Sequence, residues 1–137
     1  MIELWLPWPP SINHYYGRAR NGRVFIKAEG RTFRERVADI VASNGCVKQE
    51  GNLAMFIFVS PPDKRKRDLD NLVKATQDAL QEAGCYDNDC QIAGLHVERG
   101  QIQKGGKVFV QIVQHRTPDR TKPVWDLNDY PDNTRDR

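Results

Sequence analysis

Residues 53–91 read LAMFIFVSPPDKRKRDLDNLVKATQDALQEAGCYDNDCQ. The first seven form an unbroken apolar run rich in aromatic and β-branched side chains, the pattern of a buried strand. Pro61 and Pro62 end it, since proline gives a sheet no backbone donor. Beyond Asp70, Leu72, Val73, Thr76, Ala79, Leu80 and Ala83 recur at helical spacing, and Gly84 sits where a helix C-terminal glycine belongs. The spacing predicts a helix over about 71–83. Between strand and helix stand Lys64, Arg65, Lys66 and Arg67, followed at once by Asp68 and Asp70; past the helix comes Asp87-Asn88-Asp89. A loop that is strongly cationic and then strongly anionic suits holding a polyanion beside a bound divalent cation.

Working outward, Phe33, Val37, Ile40 and Val41 mark one face of an amphipathic helix over about 29–44, with Gly45 as its stop. At the N-terminus, IELWLPW (residues 2–8) reads as a strand halted by Pro9-Pro10. Asn21-Gly22, lying between SINHYYGRAR and RVFIK, signals a hairpin turn in which both residues tolerate positive φ. Downstream, Ile92, Leu95 and Val97 suggest a strand, Gly105-Gly106 a turn, and VFVQIV (residues 108–113) the last strand. The order β, β-hairpin, α, β, α, β, β predicts one α/β (α+β) domain over residues 1–115, with a mixed β-sheet and two main helices. Residues 116–137 read as a polar, loosely ordered extension.

With 137 residues, 39% of them hydrophobic and 28% charged, the chain belongs with soluble globular proteins rather than disordered or membrane ones. No apolar run approaches the roughly 20 residues that span a bilayer, and nothing resembles a signal peptide, so a cytoplasmic location with no membrane partner is expected. Cys46, Cys85 and Cys90 are odd in number and contain no Cys-x-x-Cys pair, which argues against a disulfide framework. A zinc site from Cys85, Cys90, His96 and His115 lacks a recognised spacing. The net charge of +3 is mild, and the segment 116–137, with five basic and five acidic residues, is neutral. Local patches must therefore carry any attraction for nucleic acid.

An acidic residue just before a helix is ordinarily a cap that opposes the helix dipole. Asp68 and Asp70 have more to recommend them as ligands. In an extended segment, two carboxylates separated by Leu69 project from the same side. A second aspartate beside a cap is repelled unless a cation relieves it. Asp89, in an Asp-Asn-Asp sequence that is also an ordinary turn, can supply a third oxygen. Mg²⁺ favours such oxygen ligands, can polarise a phosphodiester and lowers the pKa of an attacking water. Lys74 has two readings: an i,i+4 ion pair with Asp70 worth about 0.3–0.5 kcal/mol, or an ammonium aimed at a phosphoryl transition state. The run Lys64–Arg67 has two readings: a solvated loop, the default, or a phosphate grip, which its place between a buried strand and two aspartates favours. Arg18, Arg20, Arg23 and Lys27 could widen that surface, and Trp8, Tyr15 and Tyr16 could stack on unpaired bases or belong to the core.

Taken together, these residues resemble the RusA-type Holliday junction resolvases. The resemblance rests on Leu6-Pro7-Trp8-Pro9-Pro10-Ser11 with Asn13 and Tyr15-Tyr16, then Asp68-Leu69-Asp70-Asn71-Leu72, Lys74-Ala75 and Asp78-Ala79-Leu80. It continues through Asp89 before Gln91 to Lys104-Gly105-Gly106-Lys107 and ends near residue 114. It implies a homodimeric, Mg²⁺-dependent endonuclease that nicks two opposed strands of four-way junction DNA. It further implies that Asp68, Asp70 and Asp89 serve the metal and that Lys74 is catalytic. The acidic loop departs from relatives, which often carry Asp-Asp there; spacing to Gln91 favours Asp89 over Asp87. A helix of about 20 Å separates Asp68 from Asp89, so Asp89 acts either by folding back or from a partner subunit. Two rival readings are a non-catalytic nucleic-acid binding module whose aspartates only cap a helix, and a general metal-dependent nuclease without junction preference.

Overall fold

The computed structural model describes residues 1–116. Four strands make one mixed sheet in the order β1-β6-β4-β5, with β1 at Ile2–Pro7, β4 at Leu53–Ser60, β5 at Ile92–Arg99 and β6 at Lys107–Gln114. β6 lies antiparallel to both β1 and β4, whereas β4 and β5 are parallel. That parallel pair requires a crossover, and α3, Leu69–Glu82, provides it. α2, Ala28–Ser43, packs beside α3. This is the single mixed-sheet α+β domain the sequence predicts, with one further short helix, α1, at Ile12–Tyr15. Residues 117–137, most of the expected extension, lie outside the described residues.

Alternation along the strands decides what is buried. Ile2, Leu4 and Leu6 of β1, Met55, Ile57 and Val59 of β4, and Val108, Val110 and Ile112 of β6 all turn inward. Against them α3 sets Leu72, Val73, Ala75, Thr76, Ala79 and Leu80, and α2 sets Phe33, Val37 and Val41. Each fully buried aliphatic side chain contributes about 1.5–3 kcal/mol of transfer free energy. The helices cover only this face. Phe56 and Phe58, the alternate residues of the apolar run, point the other way and are half-buried, so β4 is not the fully buried strand the run suggests.

That outer face is aromatic. Trp5 of β1 is 60% exposed and pairs in register with Phe109 of β6, their ring centroids 5.0 Å apart. Phe109 in turn stacks on Phe58 at 6.3 Å.

The hairpin forms at the expected place, with β2 at Tyr16–Arg18 and β3 at Val24–Ile26, but its turn differs. Asn21 keeps negative φ and only Gly22 is left-handed, at φ 82°. The Gly22 N–H donates to the Ala19 carbonyl at 2.9 Å, and Asn21 Oδ1 accepts from the Arg23 N–H at 2.9 Å. The asparagine side chain thus caps a longer loop instead of sharing a two-residue turn. Gly30 of α2 lets that hairpin region settle: a Cβ there would lie 2.7 Å from the Tyr15 carbonyl oxygen.

Candidate active site and nucleic-acid interface

α3 begins at Leu69, two residues earlier than the apolar spacing predicts, and this changes the setting of the aspartates. Asp68 is the N-cap in extended conformation and Asp70 belongs to the first helical turn, so the pair does not project from one extended segment. The capping role is only half filled. The Asp68 side chain makes no cap hydrogen bond, although it occupies the cap position, whereas Asp70 Oδ1 accepts from the Asn71 N–H at 3.1 Å. Both residues are exposed. The helix N-terminus tolerates this concentration of negative charge through its dipole.

Asp89 is at the other end. It opens a short 3-10 turn, Asp89–Gln91, and its N–H donates to Gln81 Oε1 on the last turn of α3 at 2.9 Å. Gln91 holds the whole acidic loop: its Oε1 accepts from the N–H groups of Asp87 and Asn88, and its Nε2 donates to the carbonyls of Gln49 and Gly51. Asn88 caps the turn through Oδ1, which accepts from the Cys90 N–H. Asp87 is engaged elsewhere, with Lys48 Nζ 2.6 Å from its Oδ1. Asp68, Asp70 and Asp89 enter no ion pair among the described residues.

Lys74 contradicts the simplest expectation for its helix spacing. Its ammonium pairs with Asp78, one turn further on, with Nζ 3.6 Å from Oδ2; the pairing with Asp70 is not made. It also lies 5.2 Å from the centre of the Tyr16 ring, and the Tyr16 hydroxyl donates to the same Asp78 oxygen. The Asp78 carboxyl is held above the usual range, first by burial and then by the charge of Asp89. In the sequence, Asp78 stands out only within the motif Asp78-Ala79-Leu80. The available signal was its i,i+4 spacing from Lys74, which competes with the equal spacing from Asp70 on the other side.

The basic run divides. Arg67 is a structural cation: its guanidinium pairs with Asp63 at 2.9 Å and lies 5.5 Å from the Trp8 ring, and its carbonyl accepts from Arg99 at 2.7 Å. The Arg67 guanidinium, and after it the Arg65 N–H donating to Asp63 Oδ1, hold the Asp63 carboxyl below its ordinary value. Lys64, Arg65 and Lys66 are exposed. Lys66, Arg67 and Asp68 line an open cleft of about 460 Å³ with Asn13, Ser11 and Asn71. Lys64 and Arg65 line an adjoining hollow of about 270 Å³ with Lys66, Arg67 and Arg99. The structure thus brings Asn13, the basic run and Asp68 together at the N-terminal end of α3. Lys74 lies along the helix and Asp89 beyond it.

Oxygen donors free of cationic partners suit a hard divalent cation. One chain, however, gathers no group of three His, Cys, Asp or Glu side chains able to hold a metal among the described residues. Asp68 and Asp70 offer two ligands at the N-terminal end of α3; Asp89, the third expected ligand, is bonded through its N–H to Gln81 near the other end. The cysteines are free, with Cys85 buried and its thiol pushed up to about 12 by burial. No helix among the described residues is long and apolar enough to cross a membrane.

The family model for endodeoxyribonuclease RusA matches residues 7–113, and the chain belongs to that family of junction-resolving endonucleases. Among its relatives, the crossover junction endodeoxyribonuclease of Enterobacteria phage 82 is 42% identical over 116 residues, covering 82% of this chain and 93% of the relative. The crossover junction endodeoxyribonucleases of Escherichia coli K12 and Shigella sonnei are each 40% identical over the same lengths.

Proposed function

We propose that the chain is a Mg²⁺-dependent endonuclease that resolves four-way DNA junctions in recombination and repair, acting as a homodimer. The observation that carries this reading is the set of carboxylates at the two ends of α3 that enter no ion pair among the described residues, in a chain of this family. Asp68 and Asp70 of one subunit, with Asp89 of a second copy, would hold the cation. Bound there, Mg²⁺ would supply charge stabilisation at the scissile phosphate. Exposed Lys64, Arg65 and Lys66, with Asn13 across the cleft, grip the DNA backbone, and Lys74 brings a cation to the reacting phosphate. Arg67 supports the grip by holding the loop through Asp63 and Trp8.

Dimerisation draws support from the outer sheet face. Exposed Trp5 and the half-buried Phe109 present apolar surface that no helix of the described chain covers, and a second copy would bury it. A monomer that held all three carboxylates in one place would not need this partner; sharing the site between two copies would supply the third.

The test is incubation of the purified protein with a mobile four-way junction and Mg²⁺, with nicks mapped on all four strands and a linear duplex as control. Paired, symmetric nicks confined to the junction are expected. Binding without nicking in Mg²⁺ and Mn²⁺ would leave only a binding module, and equal cutting of the duplex would leave a general nuclease.

A further inference from the structure

The unusual feature of α3 is where Lys74 does not go. Asp70, Lys74 and Asp78 follow one another at i, i+4 and i+8 along one helical face, so the ammonium has an acid one turn away in each direction. On an isolated helix an acid four residues N-terminal to a lysine is the better partner. Here the ammonium turns to Asp78. A solvated ion pair does not account for this choice: the Lys74 side chain is 60% exposed, but that of Asp78 is only 20% exposed. A third group from a distant part of the chain completes the arrangement. Tyr16, at the start of the hairpin, donates its hydroxyl to the Asp78 oxygen nearest Lys74 and sets its ring 5.2 Å from the ammonium. A carboxylate fixed by one donor and an aromatic face together bound the space the flexible lysine can occupy.

We propose that Tyr16 and Asp78 are positioning residues that hold the Lys74 ammonium away from Asp70, fixing its place for the phosphate and keeping the Asp70 carboxylate open to a cation. The device couples the hairpin to the active face of α3. It also gives a role to an acidic residue at so well packed a position: with no acid at 78, the other i,i+4 carboxylate open to the ammonium on that face is Asp70. Asp78 and Tyr16 touch neither substrate nor metal in this scheme and act only through Lys74. The inference rests on the proposed role of Lys74, and its test separates the two.

The experiment is a double-mutant cycle on junction cleavage with Asp78→Asn, Tyr16→Phe and Lys74→Ala, together with the ¹⁵Nζ resonance of Lys74 in the uncleaving, metal-free protein. Asparagine keeps the shape and the acceptor for Tyr16, and thermal melts check that each variant folds. Asp78→Asn should lower single-turnover cleavage by about tenfold to a hundredfold with junction affinity unchanged, and should have no further effect once Lys74 is alanine. Tyr16→Phe should act in the same direction, and both variants should move or broaden the Lys74 resonance. Additive losses in the Lys74→Ala background, or a Lys74 resonance unaltered by both variants, would overturn the positioning role. Full cleavage by Lys74→Ala itself would instead remove the catalytic role of Lys74, and the inference with it. An altered resonance with undiminished cleavage would show a held lysine that does no catalytic service, which also overturns the proposal.

Discussion

Asp68 and Asp89 stand at opposite ends of α3, whose 14 residues span about 21 Å. Neither carboxylate enters an ion pair among the described residues, and each has its position set by backbone: Asp68 as N-cap, Asp89 through the bond from its N–H to Gln81. Gln91 clamps the second loop to residues 49–51, and the bond from the Asp89 N–H to Gln81 ties the start of the 3-10 turn to the last turn of α3. The proposal that two subunits share one site rests on this placement of the aspartates at the two ends of one helix.

Asp70→Asn should abolish cleavage in Mg²⁺ while junction binding persists or tightens, because one negative charge is removed near phosphate. Gel-shift titration beside a cleavage assay checks this. Loss of binding together with cleavage would assign Asp70 a structural role.

Charge reversal at Lys64 and Arg65 should weaken junction binding and flatten the dependence of log affinity on log salt, since fewer counterions are released. Arg67→Ala should behave differently, loosening the loop that Asp63 and Arg99 hold. Salt titrations of the variants distinguish the two classes: a slope change for Lys64 and Arg65, and lowered thermal stability for Arg67.

Replacing Trp5 by lysine should leave the fold intact and shift the protein towards monomer, because the residue is exposed on the outer sheet face and not part of the inner core. Light scattering coupled to gel filtration reads the mass directly. A dimer unchanged by Trp5→Lys would move the interface elsewhere.

Cys85 should resist thiol reagents at pH 8 until the protein unfolds, whereas exposed Cys90 should react at once. Burial raises the Cys85 thiol to about 12, so the unfolded chain loses that proton at lower pH than the folded one. Its effect on stability is therefore absent at neutral pH and becomes a loss as pH rises from the ordinary thiol value of about 8.5 towards 12. The buried Tyr86 hydroxyl, also raised by burial, pushes in the same direction. Denaturant midpoints measured from pH 8 upward should fall, and prompt labelling of Cys85 in the native state would contradict the packing described.

The fold was readable because its signals are local. The apolar run of β4, the spacing of Leu72 to Leu80, and glycines at 45, 84 and 105–106 with positive φ each report the backbone they sit in. What escaped depended on contacts across the chain. That Phe56 and Phe58 face away from the helices follows from α2 and α3 both packing on one face of the sheet, and a run of seven apolar residues does not encode this. Lys74 choosing Asp78 over Asp70 required Tyr16, which is 62 residues from Asp78 in sequence. Likewise Arg67 reads as a phosphate grip beside its neighbours until Asp63, Trp8 and Arg99 are seen around it. The carboxylates themselves were legible, and their separation could be anticipated from the length of one helix.

The most direct test of the central claim is to mix Asp68→Asn subunits with Asp89→Asn subunits, each inactive alone, after verifying that they form heterodimers, and to follow single-strand nicking of a four-way junction in Mg²⁺. If each site takes Asp68 and Asp70 from one subunit and Asp89 from the other, the heterodimer contains one fully intact site. Nicking of one strand should then return without paired incision. Verified heterodimers that nick no strand would contradict a site shared between subunits.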